Sequence, residues 1–250
     1  MRHPPTPYEA RISEIFSSLQ GEGTHLGERQ LFIRFEECHI HCEYCDELDK
    51  PARALSLDEV TEEVRRIDRE EGPHSFVSLT GGEPLLYVAF LAPLLLRFKA
   101  LGHCIYLETN GILWQALESV LGGCDVIAMD LKPASVTRER SFLKEHRRFL
   151  EIASAKEVFI KIVLSQEIDI REFQGLIELV RDVAPRTPVI LQPMSTPRVI
   201  AGHPLPFGEE REGHEDPELM RLLGELQRLA SRSLPDVRVL PRLHRILKIR

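Results

Sequence analysis

Residues 31–45 read LFIRFEECHIHCEYC, and this stretch decides the fold. Leu31–Glu37 is a short, largely apolar run of the kind that forms a strand covered on both faces, and it leads straight into three cysteines. Five more runs have the same character: Ser75–Thr80, Cys104–Glu108, Asp125–Asp130, Val158–Leu164 and Pro188–Gln192. Segments of helical period alternate with them: Ser56–Glu71, Leu86–Ala100, Leu113–Leu121, Ser135–Ser154, Ile170–Val183 and Pro217–Arg232. Ser56, Leu57, Asp58 and Glu59 have the form of a capping box with acid in the first turn. Gly72, Gly102 and Gly122–Gly123 mark helix ends. The alternation predicts an α/β chain forming a partial (β/α)6 TIM-like barrel with right-handed crossovers. Residues 1–250 then make one domain, with an N-terminal arm at 11–30, an insertion or lid at 195–216 and a C-terminal tail at 237–250.

The bulk properties narrow the class. A hydrophobic share of 43% with 28% charged residues is ordinary for a soluble globular chain. The net charge of -7 argues against a nucleic-acid or anionic-membrane binder, since both need a basic face. No secretory signal opens the chain, and the longest apolar run, Leu85–Leu96, is broken by Pro93 and too short to span a bilayer. A cytoplasmic protein is expected. Five cysteines, three of them within eight residues, are poor disulfide arithmetic. Cys104 and Cys124 sit in apolar segments and read as small buried side chains.

Cys38, Cys42 and Cys45 are spaced as Cys-x3-Cys-x2-Cys directly after the first strand. Three soft thiolates on one loop suit three irons of a cubane and leave a fourth iron open to a ligand. The rival is a structural zinc completed by His39 or His41, whose reach round so short a loop is poor for a tetrahedral site. The other unusual motifs also fall at strand ends, where chemistry gathers in such folds. They are Thr80-Gly81-Gly82-Glu83-Pro84, Glu108-Thr109-Asn110-Gly111, Asp130-Leu131-Lys132 and Gln192-Pro193-Met194-Ser195. Paired glycines let backbone approach a ligand, a carboxylate such as Glu108 can accept from ribose hydroxyls, and Asp130 with Lys132 could equally be a rim ion pair.

The loop CHIHCEYC resembles the signature of radical S-adenosylmethionine (SAM) enzymes, with Tyr44 in the aromatic position that contacts adenine. The residues flanking it resemble one branch, the 7-carboxy-7-deazaguanine synthase family of queuosine (7-deazapurine) biosynthesis. The arm EIFSSLQGEG at 14–23, Arg34, TGGEP, ETNG, QPM and the terminal PRLHRILKI carry that resemblance over nearly the whole chain apart from the insertion. It implies a [4Fe–4S] cluster on Cys38, Cys42 and Cys45, and SAM held by Tyr44, Cys45, Asp46, Gly82, Glu108, Asp130, Leu131, Lys132, Gln192, Pro193, Met194 and Ser195. The implied reaction is a lyase ring contraction of 6-carboxy-5,6,7,8-tetrahydropterin to 7-carboxy-7-deazaguanine, with loss of ammonia and no catalytic side chain beyond the cofactor ligands. Substrate contacts fall on Leu19, Gln20, Gly21, Arg34, Thr80 and the terminal carboxylate of Arg250. Arg34 offers a planar fork suited to a carboxylate. Where the family has a threonine that helps hold Mg2+, this chain has Glu47, itself a hard oxygen donor. A flavodoxin or ferredoxin-type electron donor and a homodimer are implied as partners. A glycyl-radical activase shares the cysteine loop and SAM motifs and is the alternative, although it needs neither the arm nor the terminal motif.

Overall fold

The structure, a computed structural model, describes residues 8–45, 51–195, 199–200, 203–204 and 213–249. Its main sheet has nine strands in the order β11-β8-β7-β6-β5-β4-β2-β1-β3. The parallel part holds β2 (Arg29–Phe35), β4 (Phe76–Gly81), β5 (Cys104–Thr109), β6 (Val126–Asp130), β7 (Glu157–Leu164) and β8 (Val189–Pro193). These are the six strands anticipated above. Their outward faces bury Leu31, Ile33, Leu79, Leu107, Ile127 and Ile160 against the apolar stripes of the surrounding helices. Helices α1 (Leu57–Glu71), α2 (Val88–Ala100), α3 (Trp114–Val120), α6 (Ile170–Val183) and α7 (Pro217–Ala230) lie where the periodicity places them. Ser56 caps α1 as a full capping box, its hydroxyl accepting from the Glu59 N–H while the Glu59 carboxylate accepts from the Ser56 N–H.

Three features differ from the sequence reading, each for a local reason. The arm is part of the sheet: β1 (Glu9–Leu19) forms an antiparallel hairpin with β2, and β3 (Arg53–Ser56) pairs on its far side. A bulge between Ile12 and Glu14 breaks the two-residue alternation that would have marked β1 as a strand. The expected helix over 135–154 is two pieces, α4 (Ala134–Thr137) and α5 (Leu143–Ala153). Arg138 adopts a left-handed backbone (φ 64°), and Thr137 turns its hydroxyl back to the Pro133 carbonyl. Finally β11 (Val237–Val239) adds a short seventh parallel strand beside β8, and α8 (Leu243–Leu247) follows it. Three residues with a charge in the middle are too few to show as a strand in sequence.

The bend of the arm enters the barrel from the end where the parallel strands begin. Gly23 has φ 74° and faces the Phe159 ring so closely that a Cβ would lie 2.2 Å from it. His25 stands edge-on to Phe76 and Tyr106 at 5.2 and 5.5 Å. The bend thereby fills the barrel interior and aims Gln20 and Glu22 toward the opposite, carboxyl ends of the strands. Of the expected insertion, the described parts are its ends, Ser195 and 213–216, and the pairing of β9 (Val199–Ile200) with β10 (His203–Pro204). Among the described residues no helix is long and apolar enough to cross a membrane.

Candidate active site

The cysteine loop leaves the carboxyl end of β2. Cys42 is buried, Cys38 and Cys45 are partly so, and none is in a disulfide. Ile40, Ile112 and Phe142 form an apolar wall around them. The neighbouring TGGEP turn explains its glycines by close approach rather than by turning alone. Gly81 has φ 104°, and a Cβ there would sit 2.3 Å from the Phe35 carbonyl oxygen. At Gly82 a Cβ would sit 2.1 Å from the Glu37 carbonyl. The β4 backbone therefore runs directly against the segment leading into the cysteines, tied by Gly82 N–H to Phe35 O at 2.8 Å and Glu83 N–H to Glu37 O at 2.7 Å.

Glu83, given no role of its own within the TGGEP motif, is fully buried and pins the next strand end. Its carboxylate accepts from Thr109 Oγ1 at 3.0 Å, Asn110 N–H at 2.8 Å and Leu85 N–H at 3.1 Å. Burial pushes its carboxyl up to about 7 against those hydrogen bonds.

Asp130 and Lys132 are not a rim pair. Lys132 Nζ lies 2.5 Å from Asp130 Oδ2, 3.4 Å from the Tyr44 hydroxyl and 5.6 Å from the Tyr44 ring centre, all largely shielded from solvent. Lys161, the one charged residue between Val158 and Leu164, reaches Asp130 Oδ1 at 3.3 Å and Glu22 at 2.5 Å. Burial alone would raise the Glu22 carboxyl, but Lys161, Arg242 and His244 outweigh it and hold the group far below its ordinary value. Glu108 goes the other way, pushed up by burial and by the charge on Glu22 despite Lys161. Two carboxyls in one cavity are thus shifted in opposite directions, Glu22 down and Glu108 up. Glu108 accepts from Thr80 Oγ1 at 2.8 Å and Gln20 Nε2 at 3.0 Å, two residues expected beside the substrate.

Most of these groups line one cavity of about 520 Å3. It collects Cys38, Cys42, Tyr44, Cys45, Gly82, Glu108, Asp130, Lys132, Gln192, Pro193 and Ser195, together with Leu19, Gln20, Gly21, Arg34 and Thr80. Arg34 lies over the Phe16 ring at 5.4 Å and 3.7 Å from the Glu14 carboxylate. Two expected residues do not line it: Leu131 is buried in the core, and Met194 packs against that core. Asp46, Glu47 and Arg250 lie outside the described residues. The cavity also takes Glu22, Lys161, Arg242, His244 and Arg245, which sequence reasoning missed. The available signals were a lysine inside the strand VFIKIVL and the histidine in the terminal PRLHRIL.

The donor set fits a cluster. Three unpaired-by-disulfide thiols on one loop, an apolar wall and a cavity opening onto them are what a cubane with one open iron needs. Among the described residues no three His, Cys, Asp or Glu side chains gather round one point as a single ion requires.

A partial (β/α)6 barrel with a three-cysteine loop at its first parallel strand defines a radical SAM protein, and residues 32–180 match the radical SAM superfamily. The 7-carboxy-7-deazaguanine synthase of Geobacter sulfurreducens is 36% identical over 95% of this chain and 97% of its own length. That of Methanopyrus kandleri is 31% identical over 97% of this chain and 95% of its own. The fold is shared with QueE from Escherichia coli at TM-score 0.61 and 21% identity, covering 94% of this chain and 95% of that one. The chain belongs to the 7-carboxy-7-deazaguanine synthase family of radical SAM enzymes.

Proposed function

We propose that the chain contracts the ring of 6-carboxy-5,6,7,8-tetrahydropterin to 7-carboxy-7-deazaguanine, releasing ammonia. The observation that carries this is the meeting, in one cavity, of the cysteine loop with a polar seat built by the arm and three strand ends, namely Gln20, Glu22, Arg34, Thr80 and Glu108. A [4Fe–4S] cluster on Cys38, Cys42 and Cys45, with SAM on its open iron, would supply the 5′-deoxyadenosyl radical that removes a hydrogen from carbon. The rest falls to the chain. Arg34 takes the substrate carboxylate in its planar fork, exchanging Glu14 as partner. Glu108 and Gln20, joined at 3.0 Å, read the donor-rich edge of the pterin. Lys132 and Tyr44 hold the adenosyl end, with Asp130, Gly82, Gln192 and Ser195 beside it. The apolar wall of Ile40, Ile112 and Phe142 keeps water from a reactive carbon.

Glu47, next to Asp46, would give Mg2+ an oxygen ligand in place of the family's threonine. Replacing it with threonine and titrating Mg2+ tests this, and an unchanged metal response removes Glu47 from the site. A carboxylate on Arg250 would add a further substrate contact, and His244 and Ile249 of the preceding segment line the cavity. A flavodoxin or ferredoxin-type donor, a homodimer and a cytoplasmic setting complete the reading.

The test is anaerobic turnover of the reconstituted enzyme with SAM, reductant and the carboxypterin, with product identified by mass. Formation of 7-carboxy-7-deazaguanine is expected. SAM cleavage without it would favour the glycyl-radical activase.

A further inference from the structure

Asn110 stands just past β5, 5% exposed, and its side chain reaches the cysteine loop. Nδ2 lies 3.9 Å from Cys38 Sγ, within reach of a nitrogen-to-sulfur hydrogen bond. The other end of the amide fixes its orientation. Oδ1 accepts from the Ile112 N–H at 3.2 Å, so the NH2 must be the end that faces sulfur.

The backbone beneath is held from several directions. The Asn110 N–H donates to Glu83 at 2.8 Å, and Thr109 donates to both oxygens of that carboxylate at 3.0 and 3.1 Å. Gly111 turns the chain at φ 69°, where a Cβ would meet the Asp130 carbonyl at 2.9 Å. His146 Nδ1 donates to the Gly111 carbonyl at 3.0 Å. Buried groups on three other elements therefore converge on a turn whose one side-chain amide points at a cluster cysteine. A purely structural turn needs no donor in that direction.

We infer that Asn110 is a positioning residue that donates a hydrogen bond to the Cys38 thiolate and thereby raises the reduction potential of the cluster. The inference rests on the cluster being carried by the three cysteines. Reduction adds an electron whose charge spreads onto the sulfurs, so a donor dipole aimed at one of them stabilises the reduced form more than the oxidised one. The apolar surroundings of Ile40, Ile112 and Phe142 leave that dipole little screened. Glu83 acts one step further back by fixing the turn.

The experiment compares reconstituted wild type with Asn110→Leu, which keeps the bulk and loses the donor. Iron and sulfide per chain are measured first, and the cluster is then titrated anaerobically with EPR detection. A midpoint moved to more negative potential at unchanged iron content is expected, and Asn110→Asp should move it further by adding a charge. An unchanged midpoint in Asn110→Leu with a full cluster overturns the inference. Asn110 is the single asparagine of the chain, so wild type labelled with δ-15N-asparagine gives a readout independent of any variant. A 15N hyperfine coupling on the reduced cluster is expected, and its absence overturns the inference even if both variants fail to load. Wild type that binds no iron would instead remove the reading on which the inference stands.

Discussion

Lys161 on β7 holds the carboxylate of Glu22 on the N-terminal arm, a residue 139 positions earlier in the chain. This contact ties the arm to the barrel wall inside the cavity, because the same ammonium also faces Asp130 at 3.3 Å. Burial works against the lysine's charge, and Asp130, Glu22 and Glu108 together restore it, so its pKa lies above the ordinary range.

Lys161→Met should therefore cost far more than a lost surface pair. It leaves Glu22 and Asp130 without their shared cation in a buried site, a change worth about 3–5 kcal/mol. The double variant Glu22→Gln with Lys161→Met should recover most of that loss, since only Asp130 is then left, and Lys132 still pairs it. Urea unfolding of the three proteins checks this. Additive losses in the double variant would show that the two residues do not act as a pair.

Gly21 carries the second expectation. A Cβ there would lie 2.0 Å from His244 Nδ1, and the Gly21 carbonyl accepts the Leu243 N–H at 2.8 Å. Gly21→Ala must push the α8 segment away from the arm while leaving the sheet alone. The KM for the carboxypterin should rise about tenfold, roughly 1.4 kcal/mol of binding, with the unfolding midpoint little changed. Gly122→Ala, where nothing lies within 4 Å, is the control and should change neither. Equal KM values in the two variants would count against His244 as a substrate neighbour.

The local parts of this architecture were legible in the sequence because their causes are local. A cysteine loop, a capping box and a run of apolar residues each carry their reason within a few positions. Glu22 and Lys161 were not legible as a pair, since nothing near either residue names its partner. A lysine within Val158–Leu164 was an unused signal of a buried charge, because a strand covered on both faces has no solvent for it. Glu83 was hidden by its own motif: the glycines of TGGEP draw the eye, whereas the carboxylate acts on Thr109 and Asn110 of the next strand. Arg242 and His244 needed β11 to bring the chain end back across the barrel, and a three-residue strand leaves almost no periodic trace.

His146 gives a pH expectation. Its ring is fully buried, with Nδ1 donating to the Gly111 carbonyl and Nε2 accepting the Lys132 N–H at 3.2 Å, so it is neutral in the folded chain. Burial lowers its pKa from 6.5 to about 4. Between those values the unfolded chain binds the proton and the folded chain does not, so stability rises with pH across that window. The contribution is complete above pH 6.5 and is lost as pH falls toward 4, for a total on the order of 3 kcal/mol. His146→Gln removes the titrating group, so unfolding free energies of the apoprotein between pH 4.5 and 7 should be flatter by about that amount. A variant with the wild-type slope would assign the pH dependence to other groups.

Asp68 on α1 anchors a cluster at the opposite end of the barrel. Its carboxylate faces His74 Nδ1 at 2.7 Å and His103 Nε2 at 3.0 Å, His74 Nε2 meets the Ser17 hydroxyl at 2.7 Å, and His103 Nδ1 donates to the His74 carbonyl at 2.9 Å. His74 lies two residues before β4 and His103 directly before β5, so the cluster sits where those strands begin, away from the cavity at their other ends. Both rings are buried, and one carboxylate serves them both. Asp68→Asn removes the acceptor that two imidazoles share and should cost about 1–3 kcal/mol, the penalty of a buried donor without its partner. Because the cluster touches neither the cysteine loop nor the polar seat, turnover per folded enzyme should stay within a factor of two of wild type. Ser17→Ala, which loses a hydroxyl at the cluster's edge, should show a smaller loss in the same direction. A drop in turnover at unchanged stability would mean that the two ends of the barrel are coupled through β4 and β5.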